Sequence, residues 1–285
     1  MKKFEQPNLS PLESSENREK KEVLKNTTAY INAGGRGTRL EAVLPKDVEK
    51  GITKALIDFK DQPILLYHVE RLVRMGVGKI VVLAGDHKNI EQLLGEKIQA
   101  YPNVELRFEN EQKGTGGDLI LAVRAEQNPN EYALISNVDT LLDVDEGAVL
   151  MQHKKTGAEA TIVLTTRQGV PNQGAFLVDE KNRVIVNREA GSRVEEIDPP
   201  EKYMWQGSST GMVVMNTGSI SSYHQEPDKH TISLYSDFLG EIGRRKKLYA
   251  YDNGGKFFMD IGTPETYGKM KRHPILKDIL DHRSS

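Results

Sequence analysis

Cysteine is absent from all 285 residues. That removes both a disulfide framework and a thiolate metal site, and makes a reducing compartment the simplest setting. Long apolar runs are missing too, since nowhere do 18 uninterrupted apolar residues occur, so no membrane-spanning helix is expected. The opening MKKFEQPNLSPLESSENREKKEVLK holds no apolar core of signal-peptide length, and the chain reads as cytoplasmic, with no membrane partner. Neither sign of charge dominates: 39 Lys and Arg against 41 Asp and Glu leave a net charge of -2. This gives no reason to expect nucleic acid as a partner, and any basic site must be local. The seven histidines are scattered without an H-x-x-x-H or similar cluster, which argues against a histidine metal site. A single tryptophan, Trp205, suits either a sugar face or the edge of a core.

What is present is a regular alternation. Residues 1–26 are rich in Lys, Glu, Ser, Asn and Pro, too polar to repay the entropy of ordering. They read as a flexible or loosely helical N-terminal extension. From residue 27 the pattern changes: TTAYINA is a β-prone run, ILLYHVERLVRM repeats apolar residues at helical spacing, and KIVVLAG is a compact strand candidate. KNIEQLLGEKIQA then reads as helix, VELRFENE as strand, DLILAVRAEQ as helix and YALISNVD as strand. Strand and helix in such succession predict a mainly parallel sheet covered on both faces. Past Gly157, the runs ATIVLTTR, GAFLVD, RVIVN and TGMVVMN predict mixed or antiparallel strands. No linker and no internal repeat divides residues 27–285, so the expectation is one α/β domain with a Rossmann-like mixed sheet. The basic run GRRKKLYAY, residues 243–251, reads as a solvated helix end before a strand.

In such sheets ligands bind beyond the carboxyl ends of the strands. AGGRGTRL, Ala33 to Leu40, sits there after the first strand. It is not a P-loop, because no Gly-Lys-Ser/Thr follows, and not a dinucleotide fingerprint, because Leu40 stands three beyond Gly37. Two readings remain. One is a glycine turn whose amides face phosphate oxygens while Arg39 forks onto them; the other is a tight strand-to-helix turn with surface arginines.

G-G-x-G-T-R-L after a first strand, with a lysine ahead of a later strand, resembles the signature of the sugar-1-phosphate nucleotidyltransferases. EQKGTGGDLILA resembles their second glycine loop, SNVDT their metal-binding aspartate segment and FMDIGTPETY their late aspartate motif. The likeness runs from about Thr28 to Lys271. It implies the nucleotide-diphospho-sugar transferase type of Rossmann-like sheet. The implied reaction is attack by a sugar 1-phosphate oxygen on the α-phosphorus of a nucleoside triphosphate. By the same resemblance Arg39 with Ala33, Gly34, Gly35, Gly37 and Thr38 would hold the triphosphate, Gly114 and Thr115 would belong to the nucleotide site, and Lys54 would place a positive charge near the reacting phosphates. Asp139 and Asp260 would hold Mg²⁺, which needs only one or two carboxylates besides substrate phosphates. Lys54 lies between Thr53 and Ala55 where the family commonly has prolines. Lys46, which follows a proline, is the competing lysine; the strand ALIDF behind Lys54 favours the latter. Val138 stands where the family usually has glycine.

The resemblance also assigns base reading to a side chain just before the second glycine loop, here in FENEQKGTGG. Guanine presents two donors, and a carboxylate has only acceptors, so Glu109 suits guanine and would repel the carbonyls of uracil. Glu111 follows two residues on. On this ground the chain looks more like the guanylyltransferases, including those for mannose and heptose 1-phosphates. A uridylyl- or cytidylyltransferase, or a catalytically silent nucleotide-sugar-binding relative, are the alternatives. WQGSSTGMVVMN resembles the family's sugar-contacting strand and nominates Ser209 and Gly211; Glu189 and Glu196 are both further sugar-site candidates. The partners implied are GTP and a sugar 1-phosphate, and a homo-oligomer stays open.

Overall fold

A computed structural model describes residues 14–35, 53–59, 61–109, 113–167, 175–188, 203–224 and 230–272. In chain order it contains α1 (Ser15–Lys25), β1 (Thr27–Asn32), a 3-10 turn at Lys54–Leu56, β2 (Asp58–Phe59), β3 (Gln62–Pro63), α2 (Ile64–Met75) and β4 (Lys79–Leu83). Next come α3 (Lys88–Gln99), β5 (Val104–Arg107), α4 (Gly114–Arg124), β6 (Tyr132–Asn137), β7 (Thr140–Leu142), α5 (Glu146–Thr156) and β8 (Ala160–Thr165). The remainder is β9 (Ala175–Val178), β10 (Val184–Arg188), β11 (Trp205–Asn216), α6 (Thr217–Ser221), a π-helical turn at Leu234–Phe238, α7 (Leu239–Arg244), β12 (Leu248–Asp252), β13 (Phe258–Asp260) and α8 (Pro264–Arg272).

Among the described residues the main sheet has nine strands, ordered β10-β9-β11-β6-β1-β4-β5, with β8 also on β11 and β12 on β8. β1 pairs in parallel with β4 and β6, and β4 with β5. β11 runs antiparallel to β6, β8 and β9. The mixed character expected past Gly157 is therefore present, on a parallel N-terminal half. Successive side chains of a strand point to opposite faces. Ala29 and Ile31 of β1 accordingly join a core with α2, α3 and α5, while Tyr30 joins a second core with α4 and α7. Both faces are covered, which is why the central strands are apolar throughout.

Over residues 14–26 the N-terminal extension is helical, the second of the two readings given above, and it is docked on the domain. α1 is capped by Ser14, whose hydroxyl accepts from the Asn17 amide at 3.2 Å, and it buries Val23 and Leu24. Lys20 Nζ reaches Asp145 Oδ2 at 2.8 Å, and the Gly78 amide donates to the Leu24 carbonyl at 3.1 Å. A Cβ at Gly78 would lie 2.0 Å from the Lys25 carbonyl oxygen, so the docking needs glycine there. A polar average concealed two apolar residues at the helix end, which together with these polar contacts fasten α1 to the domain. Among the described residues no helix is long and apolar enough to cross a membrane.

Candidate active site

The strand order lays the expected site residues out along one edge. At the carboxyl ends of β5, β4, β1 and β6, and on the neighbouring stretch of β11, stand Glu109, Gly85, Gly34 and Gly35, Asp139, and Gly211 with Ser209. The expected base and sugar contacts thus fall at opposite ends, with the first glycine turn and Asp139 between them.

The centre is tightly built. Ala33 is held by its amide to the Leu83 carbonyl at 2.9 Å. The hydroxyl of Thr53, itself fully buried, donates to the Ala33 carbonyl at 2.9 Å and accepts from the Ala55 amide at 3.4 Å. One side chain therefore caps the turn that carries Lys54 and ties it to the first glycine loop. This is the work of the threonine that stands where the resemblance leads one to expect proline. Lys54 Nζ forms an ion pair with Asp139 Oδ2, and both side chains are largely buried, 14% and 12% exposed. β13 lies antiparallel to β7, with Asp260 opposite Thr140, and the Ile261 amide donates to the Asp139 carbonyl at 2.9 Å. The Asp260 Oδ1 accepts from the Gly262 amide at 2.6 Å.

The convergence can be stated at one point. A Cβ at Gly262 would lie 2.7 Å from Asp260 Oδ1, 2.8 Å from Lys54 Nζ and 2.9 Å from Asp139 Oδ2. Lys54, Asp139 and Asp260 thus meet around a single glycine, although 206 positions separate the first from the last. Two hard carboxylate oxygens beside a space only a hydrogen can share are a donor set suited to a magnesium-like cation. One of them, Asp139, already pairs with a cationic group, the Lys54 ammonium. Among the described residues no three His, Cys, Asp or Glu gather as an all-protein cage.

At the base end, the Glu109 amide donates to the Gly85 carbonyl at 2.9 Å. Gly85 has φ +58°, and a Cβ at Gly34 would lie 3.1 Å from its Cα, so the loops after β1 and β4 meet backbone to backbone. Asp118, in the first turns of α4, accepts from the Lys113 amide at 3.0 Å. Burial, and less strongly the nearby Glu109 charge, push its carboxyl above the usual range. Gly114 takes φ +81° and Gly116 donates to the Ile232 carbonyl at 2.8 Å; a Cβ at Gly114 would lie 2.5 Å from that oxygen. The Thr115 hydroxyl accepts from the Leu234 amide at 3.0 Å. Here the second glycine loop is shaped by the segment packed on it.

At the sugar end β11 bulges, its register to β8 shifting between Ser209 and Val213. Gly211 has φ +80°, and a Cβ there would lie 3.0 Å from Asn137 Nδ2 and 3.1 Å from Thr140 Oγ1. Its amide donates to Ser209 Oγ at 3.1 Å. Asn32 Nδ2 donates to Asn137 Oδ1 at 3.2 Å across β1 and β6. Trp205 Nε1 donates to Asn182 Oδ1 at 3.2 Å while its ring lies against Gly207, away from Asp139 and β6. Arg39, Gly37, Thr38, Glu189, Glu111, Glu196 and Lys46 lie outside the described residues.

Thr53, Gly262, Asn32, Asn137 and Asp118 were not singled out in the sequence. Only Asp118 left a signal: an acidic residue inside a glycine-rich turn.

The family model described as "Nucleotidyl transferase" matches residues 28–274. A mannose-1-phosphate guanylyltransferase catalytic subunit beta from Drosophila melanogaster is 31% identical over 245 residues, covering 85% of this chain and 61% of the relative. A mannose-1-phosphate guanyltransferase from Yarrowia lipolytica is 26% identical over 83% of this chain, again 61% of the relative. This chain therefore spans about three fifths of the length of these curated relatives. Among solved structures, HddC from Yersinia pseudotuberculosis complexed with GMP-PN superposes with a TM-score of 0.62 at 23% identity, over 86% of this chain and 98% of that one. That likeness shows the fold. Nucleotidyltransferases of this kind generally use a divalent metal ion.

Proposed function

The chain belongs to the nucleotidyl transferase family, and from that premise we propose that it transfers GMP from GTP to a sugar 1-phosphate, releasing pyrophosphate. The observation that carries the reading is the meeting of Lys54, Asp139 and Asp260 around Gly262, beside the first glycine turn. Phosphoryl transfer asks a protein for in-line positioning and for cancellation of negative charge. A phosphate oxygen of the sugar 1-phosphate forms the new bond to the α-phosphorus, and the bond to the bridging oxygen breaks, so that pyrophosphate carries away the electron pair.

In that reaction the amides at Gly34 and Gly35, with Gly37, Thr38 and Arg39, cradle the triphosphate. Lys54 moves its charge from Asp139 toward the phosphates as they arrive. Asp139 and Asp260 would hold Mg²⁺, which when bound offsets charge on the phosphate oxygens. Glu109 accepts from the guanine N1–H and amine, and an acceptor-only carboxylate disfavours the carbonyl-bearing edge of uracil. Support for guanine comes also from the two mannose-1-phosphate guanylyltransferase relatives and the GMP-PN complex of HddC. Ser209 and Gly211 face the sugar, and Glu189, outside the described residues, is a further candidate for that contact.

The test is to incubate the protein and Mg²⁺ with each nucleoside triphosphate and a panel of sugar 1-phosphates and to follow pyrophosphate. Turnover with GTP in preference to the others supports the reading. Strict use of UTP overturns the base assignment, and no turnover with any pair overturns the transferase.

A further inference from the structure

The Asp139 carboxylate works only if the turn bearing it, Asn137 to Thr140, is held still. Besides the side-chain contacts of Asn137 and Asp139 already described, three hydrogen bonds hold the backbone of that turn at Val138 and Asp139. The Val138 amide donates to the Asn32 carbonyl at 3.1 Å, and the Ile261 amide donates to the Asp139 carbonyl at 2.9 Å. Both are backbone contacts that any sequence could make. The third is not: His68, on α2, places Nε2 3.0 Å from the Val138 carbonyl oxygen. A carbonyl only accepts, so Nε2 carries the proton and Nδ1 the lone pair.

His68 is 4% exposed, and Nδ1 has no hydrogen-bond partner among the described residues. The ring lines a cavity of about 10 Å³ shared with Ser136, Thr140 and Arg71, about the space one water needs. Val138 itself is 3% exposed and packed in the core with α2. The valine that replaces the expected glycine is thereby a second anchor, and the turn is gripped by side chain and carbonyl together.

We infer that His68 is a positioning residue for the Asp139 turn: its Nε2–H holds the Val138 carbonyl, and a buried water donating to Nδ1 from the Ser136 and Thr140 side keeps the ring in that orientation. The inference rests on the reading of Asp139 as a metal-holding carboxylate. Groups that hydrogen-bond a metal ligand commonly alter metal affinity by about 10- to 100-fold when lost, and His68 acts on the same turn one residue away.

The test compares His68→Gln, whose amide nitrogen falls near the place of Nε2, with His68→Asn, which is too short to reach Val138, and with His68→Leu. The first measurement needs no nucleotide: amide hydrogen exchange at Ile261 and Val138. His68→Asn and His68→Leu should speed exchange there by about tenfold or more relative to other slow amides of the sheet, while His68→Gln stays near wild type. The second is Mn²⁺ affinity by electron paramagnetic resonance with whichever nucleoside triphosphate the wild type binds. The Asn and Leu variants should weaken it by about 10- to 100-fold and the Gln variant should not. Equal behaviour of Gln and Asn in exchange overturns the inference, and this pair decides it even if His68→Leu does not fold. Wild-type protein that binds no Mn²⁺ with any triphosphate sinks the transferase reading, while the exchange contrast still decides what His68 does to the turn.

Discussion

Gly262→Ala asks the most of the site for the smallest change. Gly262 has no left-handed backbone angle to protect, so alanine brings only a methyl group. That methyl would stand 2.7, 2.8 and 2.9 Å from Asp260 Oδ1, Lys54 Nζ and Asp139 Oδ2. To reach ordinary contact these atoms must retreat by roughly 0.5–0.7 Å. Displacements on the order of 1 Å at a reacting centre lower rates by about 100-fold, or about 2.7 kcal/mol of barrier. Overpacking of this kind destabilises by about 1–3 kcal/mol, less than a domain of this size needs to stay folded. The expected result is a fall of about 100-fold in kcat/KM by pyrophosphate release, with a cooperative melt lowered by only a few degrees. Gly218→Ala, at a glycine in α6 with nothing within 4 Å of the added Cβ, is the control and should leave activity unchanged. A Gly262→Ala enzyme within a few-fold of wild type would refute the claim that these three groups act as one centre.

Glu109→Gln replaces an acceptor-only group by one that also donates; the kcat/KM ratio for GTP over UTP should fall by about tenfold or more, and an unchanged ratio removes Glu109 from base reading. Burial holds His153 down at about 4, against a partial offset from Asn216, and burial with the Arg71 charge holds His68 down at about 3. Their folded values lie below the unfolded one, so the unfolded chain binds more protons between roughly pH 3 and 6.5, and stability present above pH 6.5 is lost as pH falls. At pH 5 each histidine removes about 2 kcal/mol; the urea midpoint should drop between pH 7.5 and 5, and His153→Gln should shrink that drop by about half. Equal midpoints at the two pH values in wild type would contradict the burial argument. Leu24, 6% exposed at the end of α1, should lower stability by about 2 kcal/mol or more when changed to alanine; a silent substitution would mean that α1 merely rests on the domain.

Much of this was legible in one dimension because period and spacing are local properties. Compact apolar runs and helical repeats foretold β1, β4, β6, α2 and α3, and glycine turns at strand ends were the places expected to meet a ligand. The docking of α1, though not its helical character, escaped because its mean polarity hid Val23 and Leu24. α4 begins at Gly114, earlier than the run DLILAVRAEQ suggests, because Ile232 accepts from the Gly116 amide of its first turn. That contact spans more than a hundred residues and has no sequence periodicity.

The residue types therefore determined by themselves an alternating α/β chain, a glycine turn after its first strand, and a short set of acids and lysines with the right chemistry. Which of those acids and lysines stand together was decided only by the tertiary structure. β13 has to lie against β7 for Asp260 to reach Asp139, and the Thr53 hydroxyl has to bind the Ala33 carbonyl for Lys54 to reach either. Period and composition describe what each segment prefers, whereas the distance between two charges belongs to the closed chain alone.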